Sequence, residues 1–290
     1  MPLVSPIDNP EPEKWADFEK YVPQVLNLRI HCLWPEPPVE LPSEFAQVMS
    51  DLATYMWQAG LFSEGTDALY TAEHILDDQH IGDDNPLRGN IHEHIGIFAS
   101  FNGVSEREEC MVRRHKARKA RQASHSQIPK GRITLDDEIR LFNVESDMAF
   151  GLMQQEDFVE AQQIIEECHG QYQKWGSKDD IPFEYLKYNH IMSYVHMSQK
   201  DPIAAIQSCT LAAQLSENCA GPMHPTTQIV KFSLANHLYL AGEVAESLEM
   251  SKAVLHVRSK MMSEFNFFTL ESHVMCAALL LELDRCDEAE

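Results

Sequence analysis

Apolar residues recur along this chain at helical spacing, and they come in paired runs separated by short polar turns. The pattern is cleanest from Gly221 onward, where two helix-turn-helix phrases stand in tandem and the second repeats the first 42 residues later. Ala235 precedes Gly242 by seven residues and Ser247 follows it by five; Ala277 and Ala289 flank Asp284 at the same offsets. The phrase fits four more times upstream. Small residues of the first helices fall at Ala53, Gly96, Ala149, Ser193, Ala235 and Ala277, separated by 43, 53, 44, 42 and 42. Twelve residues after each stand Gly65, Glu108, Ala161, Ala205, Ser247 and Ala289, all small except Glu108. Two antiparallel helices joined by a tight turn approach closely only where side chains are small, and larger residues three or four positions away fill the interface. Leu52 and Met56, Ile95 and Ala99, Met148 and Leu152, and Leu234 and Leu238 supply that layer. One hairpin cannot bury its apolar face alone, so the pattern predicts an all-α solenoid of about six stacked hairpins.

Residues 1–42 stand apart as a lead-in. A Pro-rich stretch (1–12) precedes a helix over Glu13–Trp34, with Trp15, Phe18, Val22, Val25, Leu26 and Leu28 on its apolar side and a bend at Pro23. The proline cluster WPEPPVELP (34–42) ends it, and Ser43 opens the repeat domain, 43–290. His224-Pro225 and Asn85-Pro86 place proline at the first position of a helix, where its missing N–H costs nothing. Ser105-x-x-Glu108 reads as a capping box, and the excess of the 53-residue interval is expected in RQASHSQIPKGRIT (121–134). The sixth repeat stops at DEAE, which leaves HVMCAALLLEL (273–283) without its second helix. That predicts either a longer natural chain or a homodimer formed through the C-terminal repeat.

Charge changes the picture in one place. The formal net charge is −22, yet Cys110–Arg132 holds eight Lys/Arg and no acid, so the rest of the chain carries 15 basic against 45 acidic residues. An acidic surface favours basic protein partners and disfavours nucleic acid, and no aromatic residues interleave the cations. Within the basic run Arg114, Arg118 and Arg121 share a helix face; the leading expectation is a face that pairs with the acidic remainder of the chain, and the alternative is an anion patch. The seven cysteines are odd in number and form no C-x-x-C pair, so buried free thiols are expected. No leader-like segment and no run of about 18 apolar residues occurs, which predicts a cytoplasmic protein with no membrane partner.

The phrases resemble tetratricopeptide (TPR) repeats. Their 42-residue spacing resembles the kinesin-light-chain subtype, with GPMHPTT (221–227) and IGDDNPLR (81–88) in place of its L-G-x-x-H-P-x-T loop. The turns AGLFSEG (59–65), QEDFVEA (155–161), QKDPIAA (199–205), AGEVAES (241–247) and LDRCDEA (283–289) resemble the G-x-Y-x-E-A phrase. The array is also similar to the sensor regions of fungal NLR-like ATPases, although the chain has no G-x-x-x-x-G-K-[ST] loop. The resemblance implies a right-handed superhelix, a protein-binding scaffold whose first helices line a concave groove for a peptide or protein. Carried over position by position, the groove residues would be Asn90, Glu93, Asn143, Ser146, Lys187, His190, Tyr194, Phe232, Asn236 and Tyr239. Phe232-Ser233 stands where kinesin light chains place paired asparagines, which makes this groove more aromatic.

Three constellations carry candidate chemistry. Asp77-Asp78 resembles half of an aspartate-rich Mg²⁺-diphosphate site, as in class I terpene synthases, but Ile81 stands where the third acid belongs. His92 and His94 are two residues apart on a helix and point in divergent directions, so they cannot share one metal ion. His190 and Tyr194 lie one turn apart beside Lys187, as an acid/base pair or, the leading expectation, a polar ligand-contacting patch. The leading expectation is a non-catalytic interaction module with no cofactor. The alternative is a Mg²⁺-dependent lyase acting on a prenyl diphosphate.

Overall fold

The computed structural model describes residues 15–33, 40–101, 106–262 and 264–289. The lead-in over 1–12, most of the proline cluster and the Ser105 end of the expected capping box lie outside them. Among the described residues every regular element is helical, and no helix is long and apolar enough to cross a membrane. The chain divides into two compact units, Met1–Gly151 and Leu152–Glu290.

The first unit opens with α1 (Trp15–Leu33), which continues through Pro23. Hairpins α2 (Ser43–Gln58)/α3 (Phe62–Asp78) and α4 (Pro86–Phe101)/α5 (Arg107–Gln127) follow, then a short 3-10 turn (Lys130–Arg132) and α6 (Leu135–Gln154), near whose end the unit closes. Phe18, Val22, Val25 and Leu26 seat α1 on a core of Met49, Leu52, Met56, Leu69, Ile75, Ile91, Ile95 and Phe98. Leu28, expected on that apolar side, is exposed instead. Arg29 holds α1 by donating to Asp67 and Thr71 of α3.

The second unit contains α7 (Phe158–Trp175) and the hairpins α8 (Pro182–Ser198)/α9 (Pro202–Ala220) and α10 (Pro225–Leu240)/α11 (Val244–Met261). It closes on α12 (Phe267–Glu282) and the single turn α13 (Cys286–Ala289). Its core at α8–α10 is built from Leu186, Cys209, Ala212, Leu215, Val230 and Leu234. Prolines start α4, α8, α9 and α10, and Asp157, Asp201, His224 and Asn266 cap α7, α9, α10 and α12 with their side chains.

The small residues do what their spacing predicted. Ala53, Ala149, Ala161, Ser193, Ala205, Ala235 and Ser247 are fully buried. The Ser247 hydroxyl donates to the Ala235 carbonyl at 2.8 Å, which ties α11 to α10 at the point of closest approach. Gly65 has an additional reason to be small. A Cβ there would lie 2.4 Å from the Phe98 ring of the next hairpin, so the glycine makes room for a neighbour's aromatic side chain.

Glu108 is the one position placed wrongly by counting. It is exposed, and the small-residue slot belongs to Cys110, which is buried and is the fourth residue of α5. Gly65, Ala161, Ala205 and Ser247 are likewise the fourth residues of their helices. A Cβ on Gly96 would lie 3.3 Å from the Cys110 carbonyl, which identifies Cys110 as the facing residue. The turn of the second hairpin is thus two residues longer than its peers, so a fixed offset of twelve lands on a solvent-facing position. Ala277 is only half-buried, because α13 gives it one turn of facing helix.

The turns share a backbone device. Gly60, Glu156, Lys200, Gly242 and Asp284 all have positive φ (57° to 88°), and each lies seven residues after the small residue of its first helix. One residue later the amide reaches back over five positions: Leu61 to Met56, Asp157 to Leu152, Asp201 to His196, Glu243 to Leu238 and Arg285 to Leu280, at 2.8–2.9 Å. This is the Schellman closure, whose left-handed residue is best supplied by glycine. A left-handed L-residue costs about 1–2 kcal/mol, and Lys200 is exposed, with φ 61°. Lys200→Gly is therefore expected to raise stability by about 1 kcal/mol. A lower urea midpoint for this variant would show that another contact of Lys200 outweighs the backbone gain.

Candidate functional site

In the first unit the basic run forms an internal comb. Arg113 bonds Glu73 of α3 and Glu109 of its own helix, with the Tyr70 ring 5.5 Å away. Arg114 is buried against Gly96 and Gly151 and donates to the Asp147 carbonyl of α6. Arg118 pairs with Glu145 at 2.8 Å. Arg121 bonds the Asn90 side-chain oxygen and lies 3.4 Å from Glu93. The alternative anion patch at Arg114, Arg118 and Arg121 is therefore occupied from within. A helix with no acid of its own after Glu109 draws carboxylates from α3, α4 and α6. The outward cations of α5 are Lys116 and Lys119, beside His115.

This pairing also decides how the first unit's expected groove residues stand. Asn90 and Glu93 are engaged by Arg121, while Asn143 and Ser146 are buried, with the Ser146 hydroxyl donating to the Asn143 carbonyl at 2.8 Å. His92 and His94 diverge as their spacing demands. His92 Nδ1 faces Arg113 at 3.0 Å, and His94 Nδ1 faces Ser50 of α2 at 3.3 Å. Burial, with the Arg113 charge, outweighs Glu73 and pushes the His92 imidazole down to about 4.

Asp77 is bound by Arg88 at 2.7 Å, and the same guanidinium clamps the Ile81 carbonyl at the end of α3. Asp78 lies 3.6 Å from His74 on its own helix. Asp77 thus serves a helix-end clamp, and among the described residues no cluster of three His, Cys, Asp or Glu side chains is poised to hold a metal ion.

The second unit brings more of the expected residues together. His190 Nε2 lies 2.9 Å from the Ser233 hydroxyl, which also accepts from the Tyr194 hydroxyl at 2.9 Å. Ser193 lies 3.0 Å from His237 Nε2, and the Tyr194 ring packs edge-on against His237 at 4.7 Å. His190, Ser193, Ser233 and His237 are buried. Burial lowers His190 to about 3, helped by His237, and lowers His237 to about 4; it raises the Tyr194 hydroxyl to about 12. The result is a neutral, hydrogen-bonded bed between α8 and α10, not an acid/base pair at neutral pH. Ser193, Ser233 and His237 were not singled out from sequence as members of this bed. The signal was present: 43 residues separate His190 from Ser233 and 44 separate Ser193 from His237, about one repeat period, which sets them side by side on adjacent first helices.

Phe232, Asn236 and Tyr239 occupy α10 beside this bed. Asn236 is half-buried, Tyr239 is exposed, and the Tyr239 hydroxyl bonds Glu282 of α12. Lys187 of α8 sits over the Phe183 ring at 5.4 Å. Beneath Phe232 lies Arg258 of α11, 1% exposed, its guanidinium between the Phe232 and Phe268 rings at 4.7 and 5.3 Å. It donates to the Phe268 carbonyl (2.7 Å), Ser272 (2.8 Å), Glu271 (3.2 Å) and the Gln228 carbonyl (3.4 Å). Nothing in the spacing of the second helices flagged this cation, although Ser251, Val254 and Arg258 fall at the three- and four-residue steps of a buried face.

The arrangement of hairpins can be compared with solved structures. The apo form of the quorum sensor NprR from B. thuringiensis matches 95% of this chain and 79% of its own, at 10% identity and a TM-score of 0.55. BtubC (BKLC) from P. vanneervenii matches 80% of this chain and 85% of its own, at 12% identity and a TM-score of 0.50. A putative kinesin light chain of nearly identical TPR-like repeats from Podosopora anserina matches 78% of this chain and 100% of its own, at 14% identity and a TM-score of 0.46. The fold shared with NprR and BtubC is an all-α array of helical hairpins. No family profile and no curated protein matches the sequence. At these identities the likeness is one of fold, and the side chains of this TPR-like array must be read on their own terms.

Proposed function

We propose that this chain is a non-catalytic interaction module that takes a peptide or protein partner on the first-helix face of its second unit. The observation that carries the reading is the pairing of a rigid, neutral bed (His190, Ser193, Tyr194, Ser233 and His237) with side chains beside it that reach solvent, Lys187, Asn236 and Tyr239. A bed tied together through its hydroxyls and imidazole Nε2 atoms holds its neighbours in place, so binding spends little on ordering them. Asn236 offers both a donor and acceptors to a peptide backbone, and Tyr239 a large amphipathic surface. In the first unit the corresponding positions are buried or held by Arg121. An overall charge of −22 favours a partner rich in Lys or Arg. The likeness to TPR-like arrays is in keeping with this use.

Screening the full chain against a peptide array tests the reading. Peptides that bind are expected to lose about tenfold or more in affinity with Asn236→Ala or Tyr239→Ala, since each removes a contact worth about 1.4 kcal/mol or more. Asn236→Ala is expected to leave the melting temperature nearly unchanged, and Tyr239→Ala to lower it only slightly through loss of the exposed Glu282 bond. Full-strength binding by both variants would remove this face from consideration.

A further inference from the structure

Helix α12 is apolar on two opposite sides. Its inner side buries Phe268, Cys276, Leu279 and Leu280. On the opposite side Phe267, Leu270, Val274 and Leu281 are 43%, 47%, 70% and 56% exposed. With the half-buried Ala277 these stand at 267, 270, 274, 277 and 281, alternating steps of three and four, and no charged residue interrupts the stripe. A surface helix ordinarily carries polar residues on its outer side, and one that is apolar all round is covered in its working state. Three-four spacing is the seam into which the side chains of another helix interlock. Tyr239, bonded to Glu282, extends the patch from α10 at one end.

The charge around the stripe selects its occupant. Glu264 stands before the helix, Glu271 flanks its first half, and Glu282, Asp284, Asp287 and Glu288 follow its far end. Glu271 is held by Arg258 at 3.2 Å, and Glu288 by Arg285 at 2.7 Å with Lys252 3.5 Å away, so the charge beside the stripe rests on Glu264 at one end and on Glu282, Asp284 and Asp287 at the other. A second copy lying parallel would set residues 282–288 against themselves. Lying antiparallel, it would set them against Glu264. Carboxylates meet carboxylates in either arrangement, and an anionic membrane is repelled in the same way. A helix with Lys and Arg beside its apolar seam meets opposite charge at both ends. We infer that α12 is the docking face for a basic amphipathic helix of another protein, with apolar residues at three-four spacing and flanking Lys or Arg. This names the partner class for the second unit's first-helix face, so it rests on the interaction reading above.

The probe is an 18-residue helical peptide carrying Leu at the seam positions and Lys elsewhere, alongside a sister peptide with Glu for Lys, each titrated into the full chain. The Lys peptide is expected to bind and the Glu peptide not. Raising the salt from about 50 to 300 mM, which shortens the screening length roughly twofold, should weaken the Lys peptide about fivefold or more. Val274→Glu, at a position 70% exposed, should cut its binding at least about tenfold with nearly unchanged helicity and melting temperature. Leu281→Gln, milder and equally exposed, should act in the same direction. Equal binding of the two peptides, or indifference to both substitutions, overturns the proposal. So does sedimentation showing a dimer that Val274→Glu dissociates, which would assign the face to a second copy. Array peptides that bind through Asn236 and Tyr239 while the Lys peptide fails would refute the partner class alone. Failure of both would remove the interaction reading as well.

Discussion

Arg258→Ala is expected to destabilise the chain by about 3–5 kcal/mol, the loss typical when one member of a buried charged network is removed. The guanidinium is almost wholly inaccessible and holds the Phe268 carbonyl, Ser272, Glu271 and the Gln228 carbonyl together. It thereby links three helices, α10, α11 and α12. Its removal strands these acceptors and opens a void between the Phe232 and Phe268 rings. Burial lowers its affinity for the proton and Glu271 partly restores it, yet an arginine remains charged throughout the accessible pH range. Urea unfolding followed by circular dichroism gives the total loss, and hydrogen exchange should place it in α10–α12. Arg258→Lys keeps the charge without the planar fork and should recover only part of the stability. A loss below about 1 kcal/mol for the alanine variant would mean that the aromatic pair alone organises this end of the unit.

The second large effect is on pH. His190 and His237 have folded-state values of about 3 and about 4, against an ordinary 6.5. Between those limits the unfolded chain binds protons that the folded chain refuses. The stability these two residues contribute is therefore present above pH 6.5 and is lost as pH falls toward 4. At pH 5 both are still neutral in the fold, so each contributes about 1.5 units of difference, or about 2 kcal/mol, for a combined loss near 4 kcal/mol. His92 in the first unit, at about 4, acts in the same sense. Melting temperatures measured from pH 7.5 to 4.5 should fall steeply across this window, and His237→Gln should flatten part of the slope. An imidazole of the bed that titrates near 6.5 by NMR would show that it is open to water.

Much of this architecture was legible because close helix packing writes itself into sequence as small residues at fixed intervals. Ala53, Ser193, Ala205, Ala235 and Ser247 could be assigned by counting, and all are buried. Counting failed at Glu108, since offsets carry over only while turns keep one length, and the residues that lengthen this turn have no pattern of their own. The candidate site was harder to see. Repeat register named the faces but not their depth, so Asn143, Ser146 and His190 look like groove residues in sequence and are buried in the fold. That the basic run pairs with the chain's own acids could be expected, but not which ones. Charge density along a helix does not reveal which neighbouring helices hold matching acids, and Glu73, Glu93 and Glu145 are 20 or more residues away in sequence from the arginines they meet.

The left-handed residue that closes each hairpin has a wider consequence. Its place is fixed at five turns, but it is filled by glycine, glutamate, lysine, glycine and aspartate in turn. What is inherited from one repeat to the next is a torsion angle, and the letter that adopts it is free to drift at a modest energetic cost. An array built this way can lose nearly all resemblance between its own copies while every hairpin still folds back at the same angle.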